Sequence, residues 1–255
     1  MPFKRRRDYF FYLSIVQGKS VLIRGRGDLS NKIQREKKLT EDVARIYAAE
    51  VLLALEDLHR RNIIFRDLKP ENVVFDADGH AMLTDFGLSK EGIEDNESAK
   101  SFCGSVAYLA PEIIKKSGHG KSIDWYLLGL LTYEMLVGIP PYYSTNREQL
   151  FRNIQLAPLK LPYTLSSEAK SLIVGLLNRN PLKRLGSGKG DAEEIKRHPW
   201  FKSIDWEVAL KKGLNPPKPI LRVIPSTRMS TDIFIDKEED KKKIPNWTVV
   251  GEVNI

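Results

Sequence analysis

Phe65-Arg66-Asp67-Leu68-Lys69-Pro70-Glu71-Asn72, with Asp85-Phe86-Gly87 thirteen residues after Asn72, is the stretch that decides the reading of this 255-residue chain. Between the two lie apolar runs at Asn72–Phe75 and Ala81–Thr84, which have the composition of short strands. Asp76-Ala77-Asp78-Gly79 separates them and has the composition of a tight turn. A hairpin there returns Asp85 to the neighbourhood of Asn72. Asp and Asn also favour turns on their own account, so a purely conformational role for Asp67, Asn72 and Asp85 is the plain alternative.

The side chains so gathered have a chemistry in common. Moving a phosphoryl group to a hydroxyl needs a carboxylate to orient the hydroxyl, a cation beside the moving group, and oxygen ligands for Mg²⁺. Asp67, Lys69, Asn72 and Asp85 supply that set. Lys69 and Glu71 have an alternative as solvated loop charges.

Outward from the centre, residues 40–60 read as a helix. Thr40 is the N-cap, Glu41 and Asp42 occupy the first turn, and Val43, Ile46, Tyr47, Val51, Leu55 and Leu58 recur at three and four. Ile63–Phe65 reads as a further strand. Residues 88–109 form a long polar loop. Residues 124–137 are apolar nearly all round, which predicts a buried helix ended by Pro140-Pro141. Further helices are expected at 146–154, 166–178 and 191–197. After Phe201 the chain turns polar and proline-rich, as an extended tail does. The four histidines show no metal-ligand spacing and read as surface or packing residues.

These motifs together resemble the protein kinases. Phe65–Asn72 is similar to their catalytic loop, Asp85-Phe86-Gly87 to their magnesium-binding triplet, and Ala110-Pro111-Glu112 to the end of their activation segment. Lys69, two residues after Asp67, points to serine/threonine kinases. Asp124-Trp125-Tyr126 resembles the start of the buried helix of the C-terminal lobe, and Arg184 the arginine that pairs with the glutamate at Glu112. Ser101-Phe102-Cys103-Gly104-Ser105 resembles the AGC group, as does Ile244-Pro245-Asn246-Trp247-Thr248-Val249, which is similar to that group's hydrophobic motif.

The resemblance implies a mainly α fold with short β hairpins (α+β), the C-terminal lobe of a protein-kinase-like fold. Residues 1–26 are expected as an irregular basic segment, 27–201 as the lobe, and 202–255 as the AGC tail. It implies ATP and Mg²⁺ as cofactors, protein substrates, and an upstream activating kinase. Asp67 and Lys69 are the implied catalytic residues, with Asn72 and Asp85 on the metal and nucleotide. Asp28 meets a ribose hydroxyl or a substrate arginine, or else caps a turn. Arg66, Ser101 and Thr248 are implied as regulatory, with Arg66 pairing phosphorylated Ser101. Ser105 and Glu71 face the substrate. Ser105-Val106-Ala107 stands where the group has Thr-Pro-Glu, which bears on its basic-substrate preference.

The kinase N-terminal lobe needs a glycine-rich loop, a strand lysine and a helix glutamate. Only 66 residues precede Asp67, the helix at 40–60 takes 21 of them, and no Gly-x-Gly-x-x-Gly occurs there. That lobe is therefore expected to be largely absent, and the chain inactive by itself. A non-catalytic binding module is the alternative.

Bulk composition narrows the rest. Of 41 basic and 33 acidic residues, 11 and 3 fall in residues 1–40, so the remaining 215 balance and the body is no basic nucleic-acid binder. Lys4–Arg7 is a localisation signal or a solvated end. The single cysteine, Cys103, excludes an intramolecular disulfide and favours a reducing compartment, the cytoplasm or nucleus. Trp125–Val137 is too short for a membrane span and carries Glu134.

Overall fold

The computed structural model describes residues 27–92 and 106–218. All lie in one compact unit, Met1–Arg222; a second unit, Val223–Ile255, falls outside the described residues. Eight α-helices and one two-stranded sheet, with four short 3-10 helices between them, make up the described part: α1 Leu29–Glu36, α2 Glu41–Arg60, β1 Val73–Phe75, β2 Ala81–Leu83, α3 Pro111–Lys115, α4 Ser122–Val137, α5 Arg147–Leu156, α6 Ser167–Leu176, α7 Ala192–Lys196 and α8 Trp206–Leu210. The mainly α expectation holds.

Helix α4 is the axis of the core. All its residues except Glu134 and Val137 are buried. It packs against α2 on one side and α6 on the other. A side chain at Gly129 would bring a Cβ within 2.8 Å of Leu176 Cβ, so glycine there lets α6 approach. Gly138, not the prolines, ends the helix. It takes φ +92°, and its amide bonds Glu134 O at 2.8 Å. A Cβ there would sit 2.1 Å from Lys37 O, a backbone atom of the α1–α2 connection. Gly138→Ala is thus strained twice over, and we expect it to lower stability by about 1–3 kcal/mol in urea unfolding.

Helix α2 starts where the sequence places it. Thr40 Oγ1 accepts from Val43 N at 3.5 Å, with Glu41 and Asp42 in the first turn. Its charged groups are bound to distant parts of the chain. Glu41 accepts from Ser166 N and Oγ at 2.8 and 2.7 Å and from Trp200 Nε1 at 3.1 Å. The buried Glu56 pairs with Lys196 at 2.6 Å. The buried Glu50 accepts from Ala81 N at 2.7 Å and lies 2.6 Å from His80 Nδ1, fastening the hairpin to α2.

The hairpin pairs Val73 with Leu83, Val74 with Met82 and Phe75 with Ala81. Asp76 Oδ1 accepts from the amides of Asp78 and His80 and closes its turn. The expected strand at 63–65 is only an isolated bridge between Ile64 and Lys90. Two further differences stand out. Residues 29–36 are helical because Asp28 caps them. Residues 206–210 form α8, capped by Asp205 and lying against α2, with Ala209 buried. The early part of the expected tail therefore belongs to the core packing.

The pair expected between Glu112 and Arg184 is present, with both partners buried and contacts of 2.7 and 3.0 Å. No helix among the described residues is long and apolar enough to cross a membrane.

Candidate functional site

The loop from Phe65 to Asn72 is suspended from α4. Asp124, fully buried, accepts from Phe65 N through Oδ2 and from Arg66 N through Oδ1, both at 2.8 Å. Those bonds hold Arg66 at φ +68°, a left-handed conformation costly for a side-chain-bearing residue. The Arg66 side chain turns inward, and its Nε donates to Leu88 O at 2.6 Å.

Asp67 follows, buried, and its two oxygens have different surroundings. Oδ2 accepts from Lys69 Nζ and Asn72 Nδ2, each at 2.9 Å. Oδ1 is buried with no hydrogen-bond partner among the described residues. An unpaired buried carboxylate oxygen is costly and calls for a partner supplied from outside. Asn72 Nδ2 also donates to Asp67 O at 2.8 Å, which commits the amide nitrogen and directs the amide oxygen elsewhere.

The hairpin brings Asp85 back as expected. Thr84 N donates to Asn72 O at 2.9 Å, and Asp85, exposed at φ +61°, follows it. Among the described residues no group of three His, Cys, Asp or Glu side chains is arranged to hold a metal ion by itself. A divalent cation at Asn72 and Asp85 would therefore draw most of its oxygens from a phosphate ligand and water. Asp67, Lys69 and Asn72 are thus joined by hydrogen bonds, and Asp85 follows the residue bonded to Asn72. Glu71 is exposed at the rim. Asp28 accepts from Asn31 N at 2.7 Å and from Asn31 Nδ2 through both oxygens, so it caps α1. Ser101, Ser105 and Thr248 lie outside the described residues, as does Cys103.

The protein kinase domain family model matches residues 3–201. This chain belongs to the protein kinase domain family. RAC-beta serine/threonine-protein kinase of Rattus norvegicus is 46% identical over 209 residues, 82% of this chain and 44% of the relative. A RAC family serine/threonine-protein kinase homolog of Dictyostelium discoideum is 41% identical over 251 residues, 98% of this chain and 53% of the relative. Ribosomal protein S6 kinase 2 alpha of Gallus gallus is 46% identical over 220 residues, 85% of this chain and 29% of the relative. These relatives agree with an AGC-group serine/threonine kinase. The chain spans about half or less of their length.

Within this kinase domain, sequence reasoning missed two features. Glu134 is the second acid on the apolar α4, about three turns after Asp124. Its Oε2 is buried without a partner among the described residues, and burial together with the Glu71 carboxylate raises its pKa to about 7. An acid in an otherwise apolar buried helix is the signal that could have found it. The charge states of the histidines are the second; His59, His80 and His119 are buried, the packing alternative of the two given for them. His59 is fully buried between Asp124 and Asp191; burial opposes its charge, but the two carboxylates raise its pKa to about 9. His119 is also buried. Burial and the Arg66 cation lower its pKa to about 4, so it is neutral.

Proposed function

We propose that this kinase domain transfers the γ-phosphoryl group of ATP to serine or threonine hydroxyls of proteins. The observation that carries the reading is Asp67. One oxygen is pinned by Lys69 and Asn72, and the other is buried and unpaired. That arrangement suits a carboxylate that aligns a hydroxyl and takes its proton. Lys69, held 2.9 Å from Asp67, offsets negative charge on the incoming phosphate oxygens. Asn72 and Asp85 would hold Mg²⁺, which when bound neutralises phosphate charge. Phosphorylated Ser101 would add a charge of about −1.5 to −2 for Arg66 to meet and so order the substrate-facing loop.

Residues 1–66 contain no Gly-x-Gly-x-x-Gly. Residues 1–255 alone therefore leave the triphosphate without that backbone cover, and positioning supplies most of the catalysis in this chemistry. We infer near-background transfer by these residues alone. The test is transfer of labelled γ-phosphate to a serine peptide by the full-length protein, with a tyrosine peptide and Asp67→Asn as blanks. Labelling of the tyrosine peptide, or undiminished labelling by Asp67→Asn, would overturn the reading.

The acidic pair supports a substrate preference. Glu134, part-buried and unpaired, is coupled to the rim residue Glu71. Two neighbouring carboxylates favour a basic side chain of the substrate, and Arg fits two acids best. A bound cation favours the ionised Glu134, whose pKa is raised to about 7, so affinity is present above that pH and declines below it. KM for an arginine-containing peptide should rise as pH falls through 7, approaching about tenfold per pH unit. Glu134→Gln should raise KM at pH 8 and flatten the profile. A profile unchanged by that substitution would rule the pair out.

A further inference from the structure

We propose that Asp191, 124 residues downstream of Asp67, is a positioning residue for the catalytic loop: acting through His59, it fixes Asp124 and with it the Phe65–Asp67 backbone. The inference rests on the phosphoryl-transfer reading of Asp67.

The chain of contacts is continuous. Both Asp191 oxygens lie 3.2 Å from His59 Nδ1. His59 Nε2 lies 2.9 Å from Asp124 Oδ2. Asp124 in turn accepts the Phe65 and Arg66 amides at 2.8 Å. A neutral imidazole has one N–H and satisfies one of the two carboxylates; the other would face a bare lone pair. Both ring nitrogens sit at hydrogen-bond distance from an acid, so the ring carries both protons. Asp191 thereby supplies Asp124 with a buried cationic partner. Asp124 and Asp191 are the charged groups facing His59, from α4 and from the segment before α7, and the Trp125 ring packs against it at 4.7 Å.

Two independent observations say that the carboxylate itself is what this position keeps. Asp191 has φ +43° and ψ −125°, a conformation suited to glycine, and it follows Gly188 and Gly190 in a glycine-rich stretch. Glycine at 191 would relieve the backbone. Asp191 Oδ1 also accepts from Trp125 Nε1 at 2.7 Å, so one carboxylate ties down two neighbouring side chains beneath the loop. Asp191 is about one-third exposed, while His59 and Asp124 are sealed from solvent, so the relay meets water only at this end.

The test uses residues 1–255, needs no phosphoryl transfer, and so can fail independently of the functional reading. Histidine-labelled protein, with only four histidines to assign, is titrated by NMR as wild type, Asp191→Asn and Asp191→Gly. Amide hydrogen exchange is followed at Phe65 and Arg66 and, for reference, in α6. Both variants should lower the His59 midpoint by about 1–3 pH units. Exchange at Phe65 and Arg66, corrected for intrinsic rates, should accelerate about tenfold once His59 is neutral, with α6 unchanged. Accelerated exchange throughout α6 and α2 would reduce Asp191 to a general structural role. A lowered His59 midpoint with unchanged Phe65 and Arg66 exchange would break the relay.

Discussion

Arg184→Ala should lower the stability of this kinase domain by about 3–5 kcal/mol, the largest loss expected of any single substitution away from the site. Arg184 is 1% exposed, and the groups it bonds lie inside the protein. Nη1 donates to Glu112 Oε1 and to Ser122 O, both at 2.7 Å, Nη2 to Glu112 Oε2 at 3.0 Å, and Nε to Asn178 O at 3.0 Å. The guanidinium also lies over the Tyr126 ring at 4.9 Å. Alanine would leave the Glu112 carboxylate, 2% exposed, as a buried charge without its cation. The stranded acid, more than the lost attraction, makes the effect large. Urea unfolding of wild type and variant measures it. A loss under about 1 kcal/mol would mean that water reaches Glu112 and that the pair is not sealed.

Asp67→Asn should cut kcat for peptide phosphorylation by about 10²–10⁴ while leaving KM for ATP nearly unchanged. The side chains have the same shape, so Lys69 and Asn72 still find an acceptor oxygen at the Oδ2 position. The amide nitrogen then takes the place of Oδ1 and presents a donor where the hydroxyl needs an acceptor. The interaction lost is one made to the reacting hydroxyl, so the rate falls and nucleotide binding does not. A variant retaining more than a tenth of wild-type kcat would show that another group aligns the hydroxyl. A raised KM for ATP would show that Asp67 serves the nucleotide instead.

The parts of this fold that were legible in sequence are those written locally. Residues 65–72 and 85–87 carry their own spacing, and the turn at 76–79 between two apolar runs fixes how they meet. Helix α2 announces itself through Thr40 and its apolar repeat, and α4 through an unbroken apolar run. Boundaries were less legible where backbone conformation decided them, as at Gly138, which stops α4 ahead of the prolines. The helix at 29–36 was hidden because its residues are mostly polar and its signal is one cap, Asp28. The strand at 63–65 shrank to a bridge because Lys90 alone lies opposite it. Least legible were partnerships across the chain. His59 and Asp191 are 132 residues apart, and nothing in either neighbourhood names the other. Glu134 could be read as an anomaly, but its relation to Glu71 needed the fold.

Helix α2 is finished by residues made long after it. Glu41 is bound by Ser166, 125 residues later, and Glu56 by Lys196, 140 residues later. A ribosome adding about 5–20 residues per second takes roughly 6–25 s to move from the first member of the Glu41 pair to the second. During that interval the acids of the nascent helix lack those partners. The polar fastening of α2 is therefore completed late in synthesis, after the helix and hairpin that cover its apolar face have been made.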